Sequence, residues 1–157
     1  MKMERRDVLG VFTVAAGSVL LPGSLTAAAE QNSASNNPPA ERVTGIGGVF
    51  FRARDPKALA QWYHDHLGVT GQVWNQEAGP TSFTTFPEKT TYFGDSTKQW
   101  MLNFRVSDLD KMVRQLEAAG IDVKVDPKTY PNVGRFARIH DPEGNPIELW
   151  QPMKEPK

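Results

Sequence analysis

The chain contains no cysteine. Disulfides, thiolate metal centres and a cysteine nucleophile are therefore excluded. The redox compartment stays open, because exported proteins also occur without disulfides. Histidine is scarce, with three in 157 residues, so a site built from several imidazoles has little to draw on. Neither sign of charge prevails, since Lys plus Arg and Asp plus Glu are 18 each. That balance removes any general attraction to nucleic acid or to an acidic membrane surface. Long apolar runs are missing too. Val8–Leu21 is uncharged and mostly apolar or small, but it falls short of the ~20 residues that span a bilayer. Apolar residues are 39% of the chain, which suits one core in one domain plus an appendage.

The appendage is N-terminal. Lys2, Arg5 and Arg6 precede the apolar run, Pro22-Gly23 breaks it, and Ala27-Ala28-Ala29 follows. Residues 1–29 read as an export signal cleaved near Ala29, which places the mature protein in the periplasm. Glu4-Arg5-Arg6-Asp7-Val8-Leu9 resembles a twin-arginine (Tat) signal. It carries Glu4 where Ser or Thr is usual and Gly10 where Lys is usual. General secretion and an uncleaved anchor stand as alternatives. Membrane contact is expected only through this segment. Residues 30–42 are rich in Asn, Ser, Ala and Pro without periodicity, the composition of a flexible linker.

The remainder, residues 43–152, is organised by an internal repeat. Phe51-Arg52-Ala53-Arg54-Asp55 is matched by Phe104-Arg105-Val106-Ser107-Asp108 at an offset of 53, and Gly68-Val69 is answered by Gly120-Ile121. The two copies span 43–97 and 98–152, with a tail at 153–157. Each opens on an alternating stretch, Val49–Arg52 and Trp100–Val106, which predicts a strand with one buried face. Asp55 and Asp108 are placed to cap the helices that follow, and Pro56 fits a first helical turn. Leu59, Trp62, Tyr63 and Leu67 form one apolar stripe; Leu109, Met112, Val113 and Leu116 form the other. Gly68 and Gly120 supply left-handed stops. Short strands are expected near 71–74, 82–86 and 91–93, and again near 122–125, 136–139 and 147–150. Asp141-Pro142-Glu143-Gly144-Asn145 is a turn with Pro and Gly where a hairpin uses them.

Three runs together resemble the vicinal-oxygen-chelate superfamily, the glyoxalase, bleomycin-resistance and extradiol-dioxygenase group. They are Asp55-Pro56 through Leu67-Gly68, Phe104–Leu109, and Asp141-Pro142-Glu143-Gly144-Asn145-Pro146-Ile147-Glu148-Leu149-Trp150. The resemblance implies an α+β fold of paired βαβββ modules whose curled mixed sheet encloses a central cup. Such a fold hosts many chemistries, so function has to be read from the cup.

Metal-dependent relatives carry His, Gln or Glu ligands on the first and last strand of each module. The resemblance puts Gly48 and Met101 at two of those positions, and neither offers a hard N or O donor. Thr91, Tyr92 and Phe93 stand at a third. Glu148 alone keeps a ligand-type side chain. His64 and His66 lie two apart on the first helix and diverge by about 200°. The family metal site is therefore expected to be degenerate, with no cofactor, although a divalent metal held through Glu148 stays an alternative.

Strand parity then nominates cup residues: Arg52, Tyr92, Met101, Asn103, Arg105, Arg138, His140 and Trp150, with Glu148 as a candidate general base. Arg52, Arg105 and Arg138 would form a cationic rim, or else neutralise nearby acids. Phe83, Phe86, Trp74 and Trp100 are assigned to packing. The reading is an exported protein binding a small anionic or aromatic molecule. The alternatives are a metal-dependent lyase, isomerase or dioxygenase using Glu148, and an envelope interaction module with no ligand. A homodimer is left open.

Overall fold

The structure is a computed structural model that describes residues 41–71 and 73–153. The expected export signal, most of the linker and the end of the tail lie outside the described residues. The chain divides into two units. Among the described residues, one holds those up to Phe51 and the other those from Arg52 onward. In the first, residues 41–51 carry no helix or strand, and Val43 and Phe50 are almost fully exposed.

The second unit contains α1 (Pro56–Leu67), β1 (Leu102–Arg105), α2 (Leu109–Ala118), β2 (Lys124–Val125), β3 (Gly134–His140) and β4 (Pro146–Pro152). Both helices start as their sequence dictates. The Asp55 side chain accepts from the Ala58 N–H, and the Asp108 side chain from the Lys111 N–H. Each bond satisfies a donor that the first helical turn would otherwise leave free. Gly68 closes α1 in the left-handed region at φ 68°, and Gly120 follows α2 at φ 77°.

The four strands form one open mixed sheet in the order β1-β4-β3-β2. β1 runs parallel to β4, while β3 is antiparallel to both β4 and β2. This is the α+β class and the βαβββ order expected of the second module. The β3–β4 turn closes through Asp141 N–H to Asn145 O and Gly144 N–H to Asp141 O.

One face of the sheet carries Leu102, Phe104, Ala137, Ile139, Ile147 and Leu149. The helices cover it. Tyr63 of α1 meets Phe104 edge-on, and the Leu109 N–H of α2 donates to Gln151 Oε1. Leu109, Leu116, Ile147 and Leu149 are fully sealed from solvent, each burial stabilising by about 1.5–3 kcal/mol. The opposite face presents Asn103, Arg105, Phe136, Arg138, Glu148 and Trp150. This front face is the one that strand parity assigned to the cup.

The first module departs from expectation. Its helix forms, but the stretches 49–52, 71–74, 82–86 and 91–93 show no strand among the described residues. Alternation says which face of a segment could be buried. A strand also needs a neighbour to take its N–H and C=O groups. The second module supplies one in β4, which pairs on both sides. Without a ladder, Phe83 is 87% exposed, not packed in a core as its apolar character suggested.

Candidate functional site

The register of the sheet aligns one row of polar side chains across all four strands. Asn103 of β1 lies opposite Glu148 of β4, Glu148 opposite Arg138 of β3, and Arg138 opposite Lys124 of β2. Side chains opposed in register share a face and sit within reach of each other.

Glu148 is the centre of this row and is only 4% exposed. Its carboxylate is addressed from several sides. The Tyr92 hydroxyl donates to Oε1 at 2.9 Å, and the Asn103 amide donates to Oε2 at 2.9 Å. Arg138 Nη2 approaches Oε1 at 3.4 Å. A buried carboxylate without such partners would be costly to ionise.

Arg138 in turn ties down the first module. Its Nη1 donates to the Tyr92 carbonyl at 2.6 Å, and its guanidinium lies 5.0 Å from the centre of the Tyr92 ring. Phe86 stacks on that ring at 4.9 Å, and Phe93 meets Phe86 at 5.0 Å. Guanidinium on phenol on phenyl makes a layered aromatic shelf at the polar row, with cation–π attraction at its top. Further along the front face, Phe136 and Trp150 stack in parallel at 6.3 Å. The indole N–H of Trp150 donates to the Val133 carbonyl.

The structure therefore brings together Glu148, Tyr92, Asn103 and Arg138 of the residues nominated from sequence. Trp150 lies on the same face. The others take no part in this network. Arg105 donates to the Glu77 carbonyl at 2.7 Å, its guanidinium pressed so close to Gly79 that a side chain there would collide with it. Arg52 and His140 are exposed, and Met101 is half-buried. Gly48 belongs to the unit that ends at Phe51. Sequence reasoning assigned Phe86 to plain packing, yet it is half-buried and backs Tyr92. Its alternation with neighbours held no hint of this, because the contact crosses a turn. Lys124 was not singled out either; only the β2–β3 register reveals it.

The donor set does not fit a divalent cation. A phenol, a carboxamide NH2 and a guanidinium all point donors at Glu148, whereas a metal needs acceptor atoms converging on it. The guanidinium is itself a cation beside the carboxylate and would repel a second one. Among the described residues no three His, Asp or Glu side chains gather.

The helix side has its own depression of about 420 Å³, lined by Arg54, Asp55, Ala58, Leu59, Trp62, Pro142 and Glu143. Its acids are already engaged. Asp55 caps α1, and Glu143 accepts from the Arg54 and Asp55 N–H groups at 2.9 and 3.0 Å. These backbone N–H groups hold the Glu143 carboxyl below its ordinary range. The depression is consequently a seam between α1 and the 141–145 turn, and the chemistry-bearing surface is the front of the sheet.

The sequence profile described as Glyoxalase/Bleomycin resistance protein/Dioxygenase superfamily matches residues 45–149. A 56-residue stretch is 36% identical to a Mycobacterium bovis protein named as a glyoxylase, CFP32. That match covers 36% of this chain and 22% of the relative, so the chain spans about a fifth of that protein's length. Among solved structures, a glyoxylase/bleomycin resistance protein/dioxygenase domain from Frankia sp. EAN1pec is 20% identical. It aligns over 71% of this chain and 100% of its own, with a TM-score of 0.49. TnmS3, an antibiotic binding protein from Streptomyces sp. CB03234, is 23% identical over 63% of this chain and 88% of its own, with a TM-score of 0.41.

Proposed function

This chain belongs to the glyoxalase/bleomycin resistance protein/dioxygenase superfamily, and we propose that it is a metal-independent small-molecule-binding member of it. The observation that carries this reading is the state of Glu148. Both carboxylate oxygens accept from neutral donors at 2.9 Å, and a guanidinium stands beside one of them. A carboxylate so surrounded is a poor metal ligand, because its neighbours bring donors and a cation in place of further acceptors. What the front face offers a ligand is recognition: half-buried aromatic rings beside a small set of fixed polar groups, the usual make-up of a binding site.

The N-terminal residues support an exported protein that works in the periplasm after cleavage near Ala29, with the twin-arginine resemblance favouring export of the folded chain.

Metal analysis tests the reading directly. Full-length protein purified without chelator is titrated with Ni, Mn, Fe and Zn while metal content and melting temperature are followed. The expected result is sub-stoichiometric metal and an unchanged melting temperature. One tightly held ion per chain, lost in E148Q, sinks the proposal.

A further inference from the structure

We infer that Arg138 is the anion-recognition residue of the front face and that the ligand class is an aromatic carboxylate. This rests on the binding reading above and adds a residue and a chemistry to it.

Two arginines of β3 meet their carboxylates in unlike ways. Arg135 grips Asp110 in the ordinary two-pronged way, at 2.9 and 2.7 Å. Fork-to-fork geometry at such distances is what guanidinium and carboxylate adopt when nothing prevents it. Arg138 and Glu148 are far more buried, with side chains 17% and 5% exposed, yet meet through one contact at 3.4 Å. The reason lies in the neighbours. Tyr92 and Asn103 have taken the carboxylate at 2.9 Å each, which leaves the guanidinium under-served.

The shortfall is localised. Arg138 Nε is sealed from solvent and has no hydrogen-bond partner among the described residues. An N–H left this way is costly, and native structures retain few of them without a role. Guanidinium cannot shed its proton to escape the cost. An acceptor that reaches Nε would satisfy it, and an anionic one gains most. Lys124, exposed and in register on the next strand, adds positive charge on the same row. Glu148 meets the guanidinium only through Nη2, so Nε is left for a second acceptor. The Tyr92 ring at the guanidinium, continued by Phe86 and Phe93, favours a flat aromatic body on the acid.

The probes are benzoate and its neutral counterpart benzamide, added to the full-length protein. Binding is followed in side-chain NMR spectra of the unaltered chain, where the arginine Nε–H signals are resolved and Arg138 is assigned by through-bond correlation to its own backbone. Benzoate is expected to shift the Arg138 Nε–H signal and to bind roughly tenfold more tightly than benzamide. R138K keeps the charge but loses the planar fork, and is expected to lose most of that preference while still binding benzamide. An Arg138 Nε–H signal that stays put at benzoate saturation, or equal affinities for the two probes, overturns the inference. If benzamide still perturbs Tyr92 and Trp150 in that case, the binding face stands and only the role of Arg138 falls. If neither probe perturbs Tyr92, Phe136 or Trp150, the binding reading falls as well. The Nε–H readout uses the unaltered chain, so the test does not depend on how the variant folds.

Discussion

The Tyr63 hydroxyl donates to Asp141 Oδ2 at 3.0 Å across 78 residues of sequence. Both side chains are buried. The bond joins the helix of the first module to the turn of the second, and the same turn reaches α1 again through Glu143. Asp141 is also the turn's internal organiser, accepting from the Glu143 and Asn145 backbones and from the Asn145 amide. Thus the run that most strongly marks the family acts here as a clasp between modules.

Tyr63→Phe removes one donor from a buried, charged acceptor and is expected to cost about 1.5–3 kcal/mol in urea unfolding. It also has a pH signature. Burial first, then the adjacent Asp141, raises the Tyr63 phenol well above its ordinary value of 10.0. A raised folded value means the stabilisation is complete below pH 10 and drains away as pH rises beyond it. Y63F should therefore flatten the alkaline decline of stability seen in the unaltered chain. An unchanged alkaline arm would remove Tyr63 as its source.

Glu143 carries the opposite sign. The Asp55 and Arg54 N–H groups lower its folded value below 4.5. Its contribution is present above pH 4.5 and is lost as pH falls through the lowered value. Glu143→Gln is expected to reduce the melting temperature at neutral pH and to shrink the loss of stability on acidification. Equal losses in both proteins below pH 4.5 would place the acid transition on other carboxylates.

At the polar row, removal of the carboxylate should be severe. Glu148→Ala leaves the buried Arg138 uncompensated, and breaking a buried pair in this way costs about 3–5 kcal/mol. Tyr92→Phe deletes only one bond to the carboxylate and should cost about 1.5–3 kcal/mol. The ordering, measured by denaturant midpoint, is the content of the prediction. A milder effect from E148A than from Y92F would mean that Glu148 is not the hub.

Gly134 is required by its backbone. It holds φ 134°, and a Cβ added there would run into the Gln151 carbonyl. Gly134→Ala is expected to destabilise by about 1–3 kcal/mol from backbone strain. The collision with β4 adds to that figure. Because Trp150 Nε1 bonds the preceding Val133 carbonyl, the same variant should also shift the tryptophan fluorescence. A variant as stable as the parent, with unchanged emission, refutes this account.

Much of the second module could be read before any fold was known. The strand at 102–105 and the turn at 141–145 follow from alternation and turn chemistry over a few neighbouring residues. The site was legible only as a parity list. That list gave Asn103 and Arg105 a shared face, Glu148 and Trp150 another, and Arg138 the opposing side, whereas the register sets all of them on one face of a single sheet. It could not separate Arg138, inside the network, from Arg105, whose guanidinium is drawn to the Glu77 carbonyl. The two are alike in residue type and in face, and differ only in what a distant loop brings to them.

The amino-acid order by itself determined both helices, with Asp55 and Asp108 to begin them and Gly68 and Gly120 to end them, and the strands that close the second module. Those features depend on neighbours within about one helical turn or one hairpin. Tertiary structure alone decided that Glu148 is occupied, since its partners Asn103 and Tyr92 lie 45 and 56 residues away. It also decided that the alternating stretches of the first module carry no ladder among the described residues. Hydrogen-bond satisfaction is a property of assembled neighbours in space, and no local pattern contains it.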